Sequence, residues 1–483
     1  MKRKILSTAV AGLLLGSGSV FAHGPLVNPD LEIWLSGATA QDNGIALLFD
    51  DLCVAGTLDK YQDIANPSKK GAKHTALFCT IDSSKVTGLT ATNPKVLFHK
   101  RSDGGSAQGV NPVAEGTAIN HMVINNGNCN LVSGTYDCTI SNPGDLVPHL
   151  STAGVSDVEP AMFVGVNTPS GYSPMTPALL ANLDVTPGAA LVFNTPVNKA
   201  LRDALQRAEL GAACVGSETV ACMPSLSKNQ VASLLSGTIK KWSTLKVNGT
   251  SLTAVAGVTA PDNDLVHICR RVRGSGTQAT TNAKMNHVPC TPGAKLPTEA
   301  TNGISGPVTV LNSGSGDVEV CLDDFNNGTN DGGKNGGLKH TWAIGVQSTE
   351  KNVDNAHDYR YIKINGIAPT IQNAAKGLYE DWVENSFQWR KSGLIGAPAG
   401  DALVMMQKIA TDSGSPTIIA NNLNPSFVYS WGQGGYLALA SHGFAVSTPF
   451  STSNPVTPYS HAAGGQPDSC SVPQIYNLNS SDL

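Results

Sequence analysis

The stretch LEIWLSGAT, residues 31–39, decides how the fold is built. Its first five residues form a short apolar run, and Ser36-Gly37-Ala38-Thr39 follows as a polar turn that contains a glycine. An apolar run that ends in a glycine turn is typical of a β-strand. Apolar residues from Ile45 to Leu52 predict a helix directly afterwards. The stretch therefore predicts a strand, a tight turn and a helix in succession.

The same order of strand, polar turn and helix recurs along the chain. Lys95-Val96-Leu97-Phe98-His99 is strand-like and runs into Asp103-Gly104-Gly105-Ser106. Strands that alternate with helices predict an α/β fold. The further segments that support this prediction are a strand at 191–194 with a helix at 198–210, a helical pattern within 225–242, and a strand at 266–271 before the turn 274–276.

Length and composition limit the class of protein. The chain has 483 residues, of which 41% are hydrophobic and 14% are charged, with 50 glycines and 28 prolines. This composition is typical of a globular protein with many turns, and it excludes a disordered tail or a coiled coil. Because a single hydrophobic core stops growing at about 250–300 residues, two lobes are expected.

Residues 1–22 have the features of a secretory signal peptide. Residues 2–4 are basic, residues 9–15 are apolar, and Val20-Phe21-Ala22 fits a cleavage site. The exported chain would begin at His23 and reside in the periplasm or outside the cell. Loss of the three basic residues takes the formal charge from −4 to −7. A negative charge argues against nucleic acid as a partner.

The chain has ten cysteines, an even number that suits the oxidising environment of an exported protein. Short loops predict disulfides Cys129–Cys138 and Cys214–Cys222, and Cys53–Cys79 is the third expected pair. No Cys-x-x-Cys pair occurs, so no zinc site is predicted. The cysteines that the sequence leaves unpaired are Cys269, Cys290, Cys321 and Cys470.

The segment from Cys321 to Gly337 differs in composition from its surroundings. Asp, Asn and Gly dominate it, which predicts an exposed loop. Its acidic residues miss the spacing of an EF-hand loop and lack the closing glutamate, so a solvated loop is favoured over a calcium site.

Four polar turns follow predicted strands, at 36–39, 104–106, 154–157 and 271–277. Glycines let backbone N–H groups approach a ligand, and hydroxyls and helix starts add further donors for an anion. Arg271 supplies a planar fork that suits a tetrahedral oxyanion. The carboxylate of Asp157 accepts a hydrogen bond only from an anion that still carries a proton. The turns together therefore favour hydrogen phosphate over sulfate as the ligand.

With these turns in this order, the chain resembles the periplasmic phosphate-binding proteins of the phosphate ABC importer, which are two-lobed type II solute-binding proteins. The resemblance covers much of the exported chain. The elements that carry it are, in order, Ser36-Gly37-Ala38-Thr39, Gly154-Val155-Ser156-Asp157-Val158-Glu159-Pro160, Leu235-Ser236-Gly237-Thr238-Ile239-Lys240-Lys241-Trp242, Arg270-Arg271-x-x-Gly274-Ser275-Gly276-Thr277, and Ile364-Asn365-Gly366-Ile367-Ala368-Pro369-Thr370 with Gly377-x-Tyr379.

The resemblance implies an α/β, two-lobed type II periplasmic binding protein fold with a hinge and an inter-lobe ligand cleft. Lobe 1 would combine residues 23–185 with 385–483, and lobe 2 would be residues 186–384. It implies a monomeric protein, not an enzyme, that uses no cofactor or metal and captures inorganic phosphate for the membrane permease of an ABC importer. The implied phosphate ligands are Thr39, the amide of Ala40, Ser106, Asp157, Arg271, Ser275, Gly276 and Thr277.

The chain also departs from the pattern of this family. Arg273 stands where the family usually has an aspartate beside its arginine, and Ala40 stands where an aromatic residue is usual. The chain is longer than the typical member, with insertions expected around 53–79, 111–138 and 282–337.

Three other functions stay open on sequence grounds. A phosphatase of related fold would use Asp157, Arg273 and nearby hydroxyls, although the chain has no Gly-x-Ser-x-Gly motif. An N-terminal His23 would suit a copper-dependent oxidative enzyme if a second histidine lay across the site. A secreted surface protein that kept the fold and altered or lost anion binding would suit the insertions and the additional disulfides.

Overall fold

The computed structural model of the protein describes residues 23–66, 69–462 and 466–476, so the predicted signal peptide lies outside the described residues. The β-strands are β1 (Leu31–Gly37), β2 (Asp59–Asp63), β3 (His74–Thr80), β4 (Lys95–Arg101), β5 (Ile119–Met122), β6 (Cys129–Val132), β7 (Thr135–Cys138), β8 (Leu146–His149), β9 (Ala153–Ser156), β10 (Leu183–Asn194), β11 (Val197–Asn198), β12 (Ser225–Leu226), β13 (Lys246–Val247), β14 (Thr250–Ser251), β15 (His267–Arg271), β16 (Val308–Asn312), β17 (Ala343–Gly345), β18 (Gln347–Ser348), β19 (Tyr359–Arg360), β20 (Lys363–Ile364), β21 (Trp382–Arg390), β22 (Val428–Tyr429), β23 (Gly432–Gln433), β24 (Tyr436–Leu439), β25 (Val456–Thr457), β26 (Tyr459–Ser460) and β27 (Gln474–Ile475).

The α-helices are α1 (Asp42–Leu52), α2 (Asn111–Glu115), α3 (Pro177–Leu180), α4 (Lys199–Glu209), α5 (Lys228–Leu235), α6 (Gly276–Asn286), α7 (Ser315–Asn327), α8 (Ile371–Ala375), α9 (Gly400–Ser413) and α10 (Pro416–Ile418). Short 3-10 turns and one π-helical turn at Ile419–Leu423 connect several of them. Within the described ranges, no helix is long and apolar enough to cross a membrane.

Twelve strands form a large mixed sheet. At its centre β9, β1 and β4 run parallel, and β21, β10 and β24 continue the sheet on the β9 side in antiparallel pairings. On the other side, β3, β2, β7 and β6 extend it beyond β4. These four outer strands come from the segments 53–79 and 111–138, so the expected insertions widen the large sheet.

The alternation of side chains along β1 explains how the large sheet packs. Ile33 and Leu35 are fully buried in one hydrophobic cluster with Leu48 and Phe49 of α1. Trp34 lies on the opposite face, because successive residues of a strand point to opposite sides. The predicted strand, turn and helix at the start of the chain are therefore confirmed.

Five strands form a smaller sheet in the order β16-β15-β17-β11-β19. β15 pairs in parallel with β16 and with β17, while β11 pairs antiparallel with β17 and β19. Helix α4 begins after Asn198, whose side chain accepts from the Leu201 N–H, and α5 begins with a capping box between Ser227 and Gln230. Both helices lie within the segments where helical apolar spacing predicts them. The predicted α/β fold is confirmed.

The long strands β10 and β21 run as an antiparallel pair within the large sheet. β10 has 12 residues, and its register against β21 shifts between Pro187 and Ala190. Shortly after β10 ends at Asn194, the chain enters the small sheet as β11. The predicted lobe boundaries near 185 and 385 fall within β10 and β21, and the division into lobes stays a prediction.

The segment predicted as an exposed loop at 321–337 is partly a buried helix. Residues up to Asn327 form the second half of α7, and Cys321, Leu322 and Phe325 are buried. Asp324 is also buried. Its carboxylate tolerates burial because it accepts hydrogen bonds from the backbone N–H groups of residues 331, 332 and 334. The loop prediction was wrong for this half of the segment. Backbone N–H groups that follow α7 bind the Asp324 carboxylate, which the sequence alone predicted to be exposed to solvent.

All ten cysteines form disulfides. The predicted pairs Cys53–Cys79, Cys129–Cys138 and Cys214–Cys222 are confirmed. The remaining four pair as Cys269–Cys321, which joins β15 to α7, and as Cys290–Cys470, which ties the end of the described chain to the segment after α6.

Candidate anion-binding site

Turns that follow strands of both sheets meet at one buried point. The turn after β1 contributes Thr39 and the turn after β9 contributes Asp157, both from the large sheet. From the small sheet, β15 ends in Arg271 and the start of α6 contributes Thr277. Seven of the predicted ligand residues are at most 2% exposed and Gly276 is buried with them; the seven are Thr39, Ala40, Ser106, Asp157, Arg271, Ser275 and Thr277.

Arg271 connects the two sheets. Its Nη1 donates to Thr39 Oγ1 at 2.7 Å and to Ser315 Oγ at 3.0 Å. Its Nη2 donates to the carbonyl of Ser313 at 2.6 Å, and its Nε to the carbonyl of Asn312 at 3.3 Å. Burial lowers the pKa of Arg271 to about 10, and nearby carboxylates, Asp157 first, oppose that shift. The guanidinium is therefore a fixed cation at neutral pH.

Asp157 lies in the same cluster and receives donors from both sheets. Its Oδ2 accepts from Thr277 Oγ1 at 3.0 Å, and its Oδ1 accepts from Gln41 Nε2 at 3.2 Å. The backbone N–H of Asp157 donates to Ser106 Oγ at 3.2 Å. Burial raises the pKa of Asp157, although the hydrogen bonds from Gln41 and Thr277 lower it. The carboxyl group is thus held in place and binds a proton more readily than an exposed aspartate.

Gly276 makes this close approach possible. A Cβ at this position would lie 2.3 Å from Ser106 Oγ and 2.8 Å from Asp157 Cβ. Any side chain would therefore clash at the first residue of α6. Because α6 begins beside Asp157, its free N–H groups and helix dipole favour negative charge at the cluster.

Ser315 belongs to the cluster and was not predicted from the sequence. Its hydroxyl lies 2.8 Å from Thr39 Oγ1, and its backbone N–H donates to the same oxygen at 3.3 Å. The signal was present, since Asn312-Ser313-Gly314-Ser315 follows β16 as a fifth polar turn. This turn lies inside the segment 282–337, for which the sequence predicted an insertion.

Gln41 and Lys100 also contact the cluster, through Asp157 and through the backbone of the first turn. Gln41 accepts from Asn385 Nδ2 at 2.8 Å while it donates to Asp157. The buried ammonium of Lys100 donates to the Ala38 carbonyl at 3.0 Å and pairs with Asp42 at 2.9 Å. No local sequence pattern marks either residue, because each acts through partners on other strands.

Arg273, the departure from the family pattern, does not reach the cluster. Its guanidinium forms a two-bond ion pair with Glu299, at 2.9 Å and 2.8 Å, and its side chain is 47% exposed. The backbone carbonyls of Asn312 and Ser313 orient Arg271 instead. The positive charge of Arg273 is therefore paired with Glu299 outside the cluster.

A cavity of about 430 Å³ opens beside Thr39 and Ser315. Basic side chains line it, among them Lys60, Lys69 and Lys351. Lys69 pairs with Glu319 at 2.9 Å and Lys351 pairs with Glu350 at 3.0 Å, so much of this positive charge is balanced.

The imidazole of His23, considered as a copper ligand, is engaged within the large-sheet half of the protein. Its Nε2 lies 2.8 Å from Thr80 Oγ1, and its ring packs 4.9 Å from the ring of Phe78. Within the described part of the chain, no group of three His, Cys, Asp or Glu side chains is placed to hold a metal ion.

No family model matches the chain, and no curated protein matches it either. Solved structures do match it. A Clostridium perfringens structure with bound phosphate is 14% identical, covers 81% of this chain and 97% of that chain, and has a TM-score of 0.42. An ABC-type phosphate transport receptor from Vibrio cholerae is 12% identical over 80% of this chain and 96% of that chain, with a TM-score of 0.37. A phosphate binding protein from Stenotrophomonas maltophilia is 13% identical over 74% and 78%, with a TM-score of 0.34.

Proposed function

We propose that the protein is an exported, monomeric solute-binding protein that captures hydrogen phosphate between its two sheets for ABC-type import. One observation carries the proposal. A buried arginine, several hydroxyls, a helix N-terminus and a carboxyl group from turns of both sheets form a single cluster around Arg271, Thr39 and Asp157. These are the groups that replace the water around an anion.

The groups of the cluster have complementary roles in this proposal. Arg271 supplies charge-assisted donors, and Thr39, Ser106, Ser275 and Thr277 supply hydroxyls. The N–H groups of Ala40 and Gly276 add backbone donors. Hydrogen phosphate still carries one P–OH group, which donates to Asp157, whereas sulfate at neutral pH carries none. Asp157 therefore selects the protonated anion, and no bond of the ligand is broken.

The position of the cluster between the two sheets also explains how a membrane permease would distinguish the ligand-bound protein from the free protein. The groups of the cluster come from turns of the large sheet and of the small sheet. An anion held by both sides favours the arrangement in which the sheets are close, because only that arrangement completes its hydrogen bonds. A membrane permease would recognise that closed arrangement. The cavity beside Thr39 and Ser315 is the proposed route by which the anion enters, because it borders two side chains of the cluster.

The test is calorimetric titration of the purified protein, freed of bound phosphate by partial unfolding and refolding. Phosphate should bind and sulfate should not at neutral pH. Asp157→Asn keeps the shape of the side chain but donates as well as accepts, so discrimination against sulfate should weaken. Asp412→Asn, on α9 and paired with Lys408, is the matched control. Unchanged selectivity in Asp157→Asn would contradict its role, and no binding of either anion would favour a surface protein with lost anion binding.

A further inference from the structure

A second cluster of buried polar side chains lies at the other end of α6, in its last turn. Lys284 Nζ lies 2.6 Å from His461 Nε2, and His461 Nδ1 lies 2.7 Å from Glu384 Oε2. Lys284, His461 and Glu384 are 9%, 3% and 1% exposed. They come from α6, from the C-terminal segment after β26 and from β21. The three side chains are therefore far apart in the sequence but form one continuous chain of hydrogen bonds.

The partners of each atom determine where the protons lie. Glu384 Oε1 also accepts the backbone N–H of His461 at 2.7 Å, so the carboxylate accepts from its side of the imidazole. Nδ1 of His461 consequently carries a hydrogen, which leaves Nε2 with a lone pair facing Lys284. Transfer of one proton from Lys284 to Nε2 gives a neutral amine at Lys284 and an imidazolium beside Glu384. Burial lowers the pKa of His461, and the carboxylate of Glu384 opposes that shift by stabilising the imidazolium.

Lys284 also lines a cavity of about 200 Å³. Three aromatic side chains line it, namely Tyr379, Trp382 and Tyr459, together with Lys228, His287, Glu380 and the segment 469–473. Trp382 packs against His461 with ring centroids 4.4 Å apart. Lys284 thus borders a small space with aromatic side chains in its wall, and its Nζ contacts His461 and donates to the carbonyl of Ser469 at 3.0 Å.

The charges around Lys284 keep its amine available near neutral pH. Burial lowers the pKa of Lys284 to about 8, and Lys228 acts in the same direction. Glu384, Asp381 and Glu159 oppose this shift. Asp381 is 3% exposed and its carboxylate oxygens have no hydrogen-bond partner among the described residues. Buried lysines with a lowered pKa commonly act as nucleophiles that form imines with carbonyl compounds.

We propose that Lys284 is a nucleophile that binds small aromatic or apolar aldehydes covalently as an imine, with His461 as its base and Glu384 as the group that orients His461. A nucleophile within hydrogen-bond distance of a base, which a third group holds, is the general arrangement of such sites. This function is separate from the anion cluster at the opposite end of α6.

The reaction balances without an oxidant or reductant. His461 first takes a proton from the Lys284 ammonium, and the free amine forms a C–N bond to the carbonyl carbon as the C=O π electrons move to oxygen. The proton held by His461 passes to that oxygen and gives a carbinolamine whose nitrogen still carries two hydrogens and the positive charge. His461 then takes one of these N–H protons and delivers it to the hydroxyl group, which leaves as water. The product is the protonated imine, with a C=N bond and one hydrogen on nitrogen.

The test traps this imine. Purified protein is incubated with 4-hydroxybenzaldehyde and sodium cyanoborohydride, which reduces an imine to a stable secondary amine. Intact mass should show one dominant adduct, and peptide mapping should place it on Lys284. Adducts spread over exposed lysines with Lys284 unmodified would overturn the proposal. This measurement needs no variant, so it stays decisive if a variant fails to fold.

Variants then separate the roles within the cluster. Lys284→Arg keeps a cation facing His461 but loses the nucleophilic amine, so the dominant adduct should disappear. His461→Gln should slow labelling of Lys284 by about 100-fold, because proton transfer to a positioned base is lost. Lys408→Arg, at a lysine paired with Asp412 on α9, is the control and should leave the adduct unchanged. Equal labelling rates in His461→Gln and the unchanged protein would overturn the role of His461.

Discussion

Nη1 of Arg271 donates a hydrogen bond of 2.7 Å to Oγ1 of Thr39, although the two residues stand 232 positions apart in the chain. One ends a strand of the small sheet, and the other follows the first strand of the large sheet. The bond thus joins the small sheet to the large sheet at the point where the polar turns converge. Replacing these two residues, or their neighbours, therefore tests the anion site directly.

Arg271→Ala should abolish most phosphate binding. Loss of a buried, hydrogen-bonded charge from a binding site costs about 2–5 kcal/mol of binding free energy. Arg273→Ala is the matched control, because Arg273 forms an exposed ion pair with Glu299 whose loss changes stability by about 1 kcal/mol or less. Calorimetry of both variants measures the difference. Phosphate affinity that survives in Arg271→Ala would show that the anion binds elsewhere.

Ser315→Ala should weaken phosphate binding less than Arg271→Ala does. The change removes the hydroxyl that accepts from Arg271 Nη1 and lies against Thr39 Oγ1. Loss of one such hydrogen bond costs about 0.5–1.5 kcal/mol. Ser243→Ala, whose hydroxyl donates to Asp264, serves as the control in the same titration. Equal affinities in the two variants would remove Ser315 from the site.

His121→Gln should make the protein less sensitive to acid. His121 is 1% exposed and packs against Trp34, and burial lowers its pKa to about 2, with His99, Arg101, His74 and His149 acting in the same direction. Below about pH 6.5 the unfolded chain binds a proton at this histidine and the folded chain does not. The free energy of unfolding therefore falls as pH falls, by about 1.4 kcal/mol per pH unit for this group.

Urea unfolding at pH 7, 6 and 5 measures this contribution. In His121→Gln the free energy of unfolding should fall less steeply with falling pH, by about 1.4 kcal/mol per pH unit. His340→Gln, at an exposed position, is the control and should show the same pH dependence as the unchanged protein. The same slope in all three proteins would show that His121 is protonated in the folded state.

Removal of Cys290–Cys470 should destabilise the protein more than removal of Cys214–Cys222. The first pair closes a sequence separation of 180 residues and the second a separation of 8. The loss of chain entropy in the unfolded state gives about 5 and about 2.5 kcal/mol for loops of these lengths. Denaturant unfolding of the two double serine variants compares them. A larger loss for Cys214–Cys222 would contradict this ordering.

Much of the fold was predictable because its elements carry local signals. β1, β4 and β15 are short apolar strands that end in polar turns, and α4 and α5 begin with capping side chains. β16 and the first half of α7 were not predicted, because they lie in the segment 282–337 that was expected to be an insertion, and the second half of α7 lies in the Asp-, Asn- and Gly-rich stretch 321–337 that predicted a loop. The acidic groups of α7 are satisfied by distant partners, as Asp317 is by Asn66, and a sequence does not show such partners.

The two candidate sites also differ in how far the sequence predicts them. Thr39, Asp157 and Arg271 each follow or end a strand, so local pattern and order along the chain marked them. Lys284 and His461 stand 177 residues apart, and each is an ordinary residue in its own neighbourhood. Only the fold brings an amine and an imidazole together, which explains why the second cluster had no sequence signal.

The Cys290–Cys470 bond turns everything between these two residues into a covalent ring. A single proteolytic cut anywhere in that ring, including the exposed turn around 333–339, would leave two fragments still joined through sulfur. The His461 segment and the small-sheet residues within the ring would thus stay attached to the rest of the protein. In an environment that contains proteases, the molecule would survive a nick as one particle until the bond is reduced.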